Sequence, residues 1–181
     1  MLAAVLYEAS FHIDGLMLAV AQTLRAEGMC LRGVVQESAG NSPCATMSLL
    51  DLSTGEHFAI SQDLGAQARG CRLDPHGLAD VAASIDASIN GDFDLLILNK
   101  FGKAEAEGSG LRNVLAHAIG TEKPVLTAVR APYLEAWSSF HGGLAADLAP
   151  CFETVLTWCR DVVAPGNRAI GWSRIADRTI G

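Results

Sequence analysis

The sequence predicts an α/β fold: a mostly parallel sheet flanked by helices, with an antiparallel β-hairpin at one edge. Three observations lead there. Strand-length apolar runs alternate with helical patterns of about 10–15 residues, the order that builds a parallel sheet covered on both faces. The run Leu95-Leu96-Ile97-Leu98, after Phe93, is apolar at every position, as a strand buried on both sides requires. Two alternating runs, "ATMSLLDL" and "EHFAIS", meet at Ser53-Thr54-Gly55 and read as a hairpin.

The elements follow in order. "LAAVLYE" (2–8) is a buried strand. Asp14 is placed to cap a helix over about Gly15–Glu27, with Leu16, Val20 and Leu24 at helical spacing and Gly28 as its stop. "CLRGVVQES" (30–38) is the second strand, and the hairpin comes next. "DPHGLADVAASIDASI" is a helix capped by Asp74, with Pro75 in its first turn. A strand at 93–99, a helix near Gly110–Ile119 and a strand "KPVLTAV" (123–129) complete the alternation. "WSSFHGGLA" (137–145) reads as a helix ending at glycine with core aromatics, or as an aromatic wall and Gly142-Gly143 turn over a ligand. "FETVLTWCRDVV" (152–163) is the last clear helix.

Length and composition set bounds. With 181 residues, half of them hydrophobic, the chain suits one domain (1–181) with its own core, and the pattern weakens in a tail from about 165. A net charge of −7 disfavours a nucleic-acid surface, since that affinity comes mainly from Lys and Arg neutralising phosphates. No apolar run approaches the ~20 residues of a spanning helix, so membrane insertion is not expected. Met1–Tyr7 has no basic residues and is followed by Glu8, which makes it a first core strand instead of a signal peptide. The five cysteines (30, 44, 71, 151, 159) are scattered without a C-x-x-C pair and read as reduced, mostly buried thiols of a cytoplasmic protein. Cys71, beside arginines, is the candidate for a lowered pKa.

In such a sheet, ligands sit at the carboxyl ends of the strands. That directs attention to the loops 8–14, 36–44 and 99–110. The first, "EASFHIDG", stands where a P-loop would be. A working P-loop, G-x-x-x-x-G-K-[ST], uses glycines to let backbone N–H groups wrap the phosphates and a lysine for charge. Here there is one glycine and no lysine, with Glu8 and Asp14 instead. The helix N-terminus still offers amide donors and partial positive charge. Ser10 and His12 are the loop's candidate ligand contacts. An ordinary capped helix is the competing reading.

The stretch "FDLLILNKFGKAEAEGSGLR" (93–112), with "LRAEGMCLRGVVQ" and "GCRLDPHGLADVAASI", resembles the bacterial family catalogued as domain of unknown function 2478. That family is similar to small P-loop nucleoside-triphosphatases, in which this strand ends in acidic residues followed by "GK-x-E". The resemblance covers roughly residues 2–163 and implies a P-loop-like fold. Gly102-Lys103-Ala104-Glu105 matches "GK-x-E", but Asn99 and Lys100 replace the acidic pair. A lysine at a magnesium ligand's place can hold an anion directly. Both nucleotide-hydrolysis motifs are therefore degenerate.

The expected ligand-binding residues are Lys103, Lys100, Arg72, Asn99, Ser10, His12 and Glu105, with no metal ligands and no catalytic group assigned. Arg72 can fork onto an oxyanion, or pair with a neighbouring carboxylate. No two of the five histidines have zinc-helix spacing, and no G-x-S-x-G elbow occurs. The expected function is binding of a small anion, a nucleotide or an oxyanion such as phosphate, molybdate or tungstate, in an accessory or regulatory role without NTP hydrolysis. The molybdate connection, and a transporter-associated partner or homo-oligomer, come from the resemblance. Two rivals stand beside it: a Mg-dependent nucleoside-triphosphatase using Lys103 and Glu105, and an interaction protein whose charges in 99–112 form a solvated salt-bridged loop.

Overall fold

The computed structural model describes residues 1–38, 47–62 and 72–164. Cys44, Cys71, part of the 36–44 loop and the tail after 164 lie outside them, as does the Arg72 side chain. Along the chain run β1 (Leu2–Tyr7), α1 (Ile13–Ala26), β2 (Leu31–Ser38), β3 (Met47–Asp51), β4 (His57–Ala59), β5 (Ser61–Gln62) and β6 (Arg72–Leu73). Then come α2 (Pro75–Ser88), β7 (Leu95–Phe101), α3 (Lys103–Ala106), α4 (Arg112–Gly120), β8 (Val125–Arg130), α5 (Leu134–His141), β9 (Ala145–Leu148) and α6 (Phe152–Val163).

Seven strands form one sheet in the order β4-β3-β2-β7-β8-β1-β9. The pairs β2–β7, β7–β8, β8–β1 and β1–β9 are parallel, and β2–β3–β4 is the antiparallel edge. The expected fold class is thus observed. Alternation along β1 explains how the faces are covered. Ala3, Val5 and Tyr7 pack with α1 and α6 residues such as Met17, Leu24 and Leu156. Leu2 and Ala4 lie in the opposite core, with Val81 and Ile85 of α2, Leu115 of α4 and Trp137 of α5. Leu95–Leu98 of β7 are all buried, divided between the two cores. Burying side chains of this size contributes about 1.5–3 kcal/mol each before entropy is counted.

Two expectations change. The helix α1 starts at Ile13 with His12 as N-cap, so Asp14 lies inside the first turn and caps nothing. The reason is tertiary: the Asp14 carboxylate is drawn to partners on β7, described below. Burial of most cysteines was expected, yet of the three described ones Cys30 and Cys151 are exposed and only Cys159 is buried. Both exposed thiols sit beside element ends, Cys30 before β2 and Cys151 at the N-cap of α6. Of the two readings of "WSSFHGGLA", the helix ending at glycine with core aromatics is the one observed: Trp137 is 2% exposed and packs edge-on against Phe101 at 5.2 Å. Gly142 takes the left-handed C-cap (φ 57°) that glycine adopts without strain. Elsewhere the sequence's punctuation held, as where Asp74 accepts from the His76 N–H at 3.1 Å and Pro75 opens α2.

Candidate functional site

A cavity of about 970 Å³ opens at the carboxyl ends of the central strands. Its walls come from the end of β1 and the loop after it (Tyr7, Phe11, His12), the start of α1 (Asp14) and the ends of β7 and β8 (Lys100, Arg130). Gln36, Glu37, Ser48 and His57 of the hairpin edge close the far side. The parallel strands β7, β8 and β1 all point their carboxyl ends at it, and that geometry brings residues 86 apart in sequence into contact.

The Asp14–Lys100 pair occupies the floor. Lys100 Nζ lies 3.2 Å from Asp14 Oδ1 and 3.4 Å from Oδ2, and both side chains are largely covered. Asn99, 3% exposed, donates from Nδ2 to the same Asp14 Oδ1 at 2.8 Å. The β7–β8 ladder shifts register between Leu98 and Phe101, so this strand end leaves the regular pleat. Asn99 is therefore beneath the cavity rather than in its wall.

Glu105 serves the backbone. It is 5% exposed; Oε2 accepts from the Gly102 N–H at 2.9 Å and Oε1 from the Leu111 N–H at 2.8 Å. Its own carbonyl accepts from Arg112 Nη1 at 3.1 Å. Gly110 (φ 61°) makes the close approach feasible, since a Cβ there would stand 2.2 Å from Glu105 Oε1. The carboxylate thus ties the turn after β7 to the start of α4, facing away from the cavity.

Lys103 reaches the cavity rim, where it is strongly exposed and 3.7 Å from Glu107 in an i,i+4 pair. His12 lines the cavity as N-cap of α1, and makes no side-chain bond to the first-turn amides. Ser10 lies in the same loop but outside the cavity wall. The expected residues are therefore split: Lys100, Lys103 and His12 meet in the cavity, and Asn99 supports it from below. Glu105 and Ser10 sit elsewhere.

The sequence reading missed Arg130 and Tyr7. Arg130 ends β8 and is the ladder partner of Tyr7 at the end of β1. Its guanidinium carbon lies 5.5 Å from the centre of the Tyr133 ring. It makes no ion pair among the described residues, and its buried Nε has no hydrogen-bond partner there. Burial, with the Asp14 carboxylate adding to it, pushes the Tyr7 phenol up to about 12. The available signal was positional: a lone arginine directly after a buried strand, at the end where ligands bind.

Glu37 is the cavity's other carboxylate, 3.3 Å from His57 Nδ1. No group of three or more metal-ligating side chains occurs among the described residues.

This sheet order is that of a doubly covered α/β fold, and the fold is shared with small nucleoside triphosphatases. The chain is similar to a human cancer-related nucleoside triphosphatase, with a TM-score of 0.64 and 12% identity over 94% of this chain and 100% of that one. It is similar also to THEP1 from the hyperthermophile Aquifex aeolicus, with a TM-score of 0.61 and 14% identity over 90% of this chain and 96% of that one. At such identities the likeness establishes the fold alone. Residues 2–158 match the family described as protein of unknown function DUF2478, and the chain belongs to that family.

Among curated proteins it is 41% identical over 161 residues to the molybdenum import ATP-binding protein ModC 2 of Bradyrhizobium diazoefficiens. That alignment takes in 88% of this chain and 18% of the relative, so the chain spans less than a fifth of that protein's length. No described helix is long and apolar enough to cross a membrane.

Proposed function

We propose that the chain binds a small phosphate-like anion, a nucleotide or a free oxyanion, in the cavity at the strand ends, and does not hydrolyse NTPs. The observation that carries this is the convergence of Lys100, Lys103, Arg130 and the start of α1 on one cavity of about 970 Å³. That volume is at the large end of small-molecule sites, roughly 300–1,000 Å³, and gives room for a nucleotide. The ATP-binding description of the 41%-identical relative agrees with a nucleotide, and its molybdenum-import description is the support for molybdate.

The argument against hydrolysis is about carboxylates. Where the resemblance leads one to expect acidic residues organising magnesium, this chain has Asn99 and Lys100. Asp14 is neutralised by Lys100, Glu37 faces His57, and Glu105 is committed to two backbone amides. The role that follows is accessory or regulatory, in the cytoplasm, beside a transport system or a second copy of the chain. The Lys100–Asp14 and Lys103–Glu107 pairs favour a second reading, an interaction protein whose old site is filled by its own side chains. Arg130, unpaired among the described residues, argues for a ligand instead.

Calorimetry with ATP, phosphate and molybdate, paired with a phosphate-release assay in Mg²⁺, tests the proposal. Heat from at least one ligand without release above background is expected. Turnover on the order of 1 s⁻¹, as ordinary enzymes reach, abolished by Asp14→Asn, would establish the triphosphatase. No heat from any of them would favour the interaction protein.

A further inference from the structure

We infer that Arg130, set between Tyr7 and Tyr133, is the principal anchor of the bound anion and that it grips a phosphoryl-type group by two oxygens. The inference rests on the anion-binding reading above and assigns it a centre different from the lysines that the sequence singles out.

The cavity's cations are not equivalent. Lys100 already touches both oxygens of Asp14, at 3.2 and 3.4 Å. An incoming anion would have to share that lysine with a carboxylate. Lys103 stands in solvent beside Glu107, where water screens its pull on a ligand. Arg130 differs on both counts. It is partly buried at the end of β8, and no carboxylate among the described residues lies within ion-pairing distance. Its buried Nε is unsatisfied by the protein. One edge of the guanidinium is thus covered by protein that offers it, among the described residues, neither a counter-ion nor a hydrogen-bond acceptor.

The neighbours fix its direction. The Tyr133 ring lies 5.5 Å from the guanidinium carbon, within the range of a cation–π contact. On the adjoining strand Tyr7 is its ladder partner, with a phenol that stays protonated well above neutral pH and so can donate a hydrogen bond. Tyr7, Arg130 and Tyr133 all line the cavity, on the β1–β8 side next to the start of α1. A planar fork with a neutral donor beside it matches an oxyanion presenting two or three oxygens, and the Arg geometry is bidentate where lysine is a point charge.

The experiment measures binding of ATP and of inorganic tripolyphosphate to the wild-type chain and to Arg130→Gln, Arg130→Lys, Tyr7→Phe and Lys103→Ala. Loss of a charge-assisted contact corresponds to about a 10- to 150-fold drop in affinity. That drop is expected for Arg130→Gln, with a partial recovery in Arg130→Lys and a smaller loss in Lys103→Ala. Equal binding by Arg130→Gln and wild type, or a larger loss in Lys103→Ala, overturns the inference and leaves the anion-binding reading intact. If wild type binds neither compound, that wider reading fails and this one with it. Should Arg130→Gln fail to fold, arginine labelling of the wild type by phenylglyoxal, read by mass spectrometry, decides the matter. Protection of Arg130 by tripolyphosphate, with Arg25 and Arg160 unprotected, supports the anchor; no protection at Arg130 refutes it.

Discussion

Glu105 and Arg130 show what a side chain's sequence neighbourhood conceals. Glu105 lies in a loop of charges, and its match to "GK-x-E" made it a ligand candidate. The fold bends the chain at Gly102 and Gly110 so that its two oxygens close on two backbone amides. Only the three-dimensional turn reveals that, because a carboxylate facing solvent and one facing an amide have the same letter. Glu105→Ala leaves both amides without that acceptor, and at about 1–3 kcal/mol for each unsatisfied buried group a marked fall in melting temperature is expected. Anion affinity in the surviving folded protein should change little. Gly110→Ala should destabilise too, through its positive φ and the 2.2 Å approach to Glu105. Equal melting temperatures for these variants and wild type would contradict the role given to Glu105.

His141, the last residue of α5, accepts at Nδ1 from the N–H groups of Gly143 and Ala145, both at 3.1 Å. Burial holds its pKa below the ordinary histidine value. The unfolded chain then binds the proton more readily than the folded one, so this contribution to stability is present above about pH 6.5 and is lost as pH falls through the folded pKa. An NMR titration of the His141 ring should give a midpoint below 6.5. A midpoint at or above it would contradict this account.

At the scale of elements, the sequence located most helices and strands within a few residues, since period and punctuation are local. What it misjudged depended on distant partners. The start of α1 moved because Asp14 answers to Lys100 and Asn99 on β7, not to its own helix. Strand β9 was missed because "AADL" is four residues with no clear alternation, and it becomes a strand only by pairing with β1. The Asp14–Lys100 contact also sets the cavity's charge. Asp14→Asn frees Lys100 and removes a negative charge from the anion's surroundings. At 4 Å even water-like screening leaves about 1 kcal/mol of repulsion, so anion affinity should rise roughly fivefold or more. An unchanged or weaker affinity would mean that the anion lies far from α1. On the opposite face, Trp137 anchors α5 against Phe101 of β7, with Phe140 of the same helix packed beside it. Trp137→Ala should cost about 3–5 kcal/mol, read as a shift in the denaturation midpoint, if this helix is a core element as described.

Across the whole molecule, the architecture was legible because it follows from alternation and burial. The doubly covered sheet, the hairpin edge and attention to the carboxyl ends, where the cavity lies, all came from that logic. The individual site residues were less legible, for a physical reason. A parallel sheet assembles its site from the ends of strands far apart in sequence, and here β1, β7 and β8 each contribute a cavity residue in Tyr7, Lys100 and Arg130. A motif search follows one loop at a time and favours the loop with the most charges.

The claim that this cavity takes an anion is tested most directly by mapping the site in solution. Amide ¹H–¹⁵N spectra of the labelled chain would be titrated with ATP and with tripolyphosphate. The account expects saturable shifts at Phe11–Leu16, at Lys100–Ala104 and at Ala128–Tyr133, the segments that converge on the cavity. No saturable shift with either compound, or shifts confined to α4 and α6 away from those segments, would contradict it.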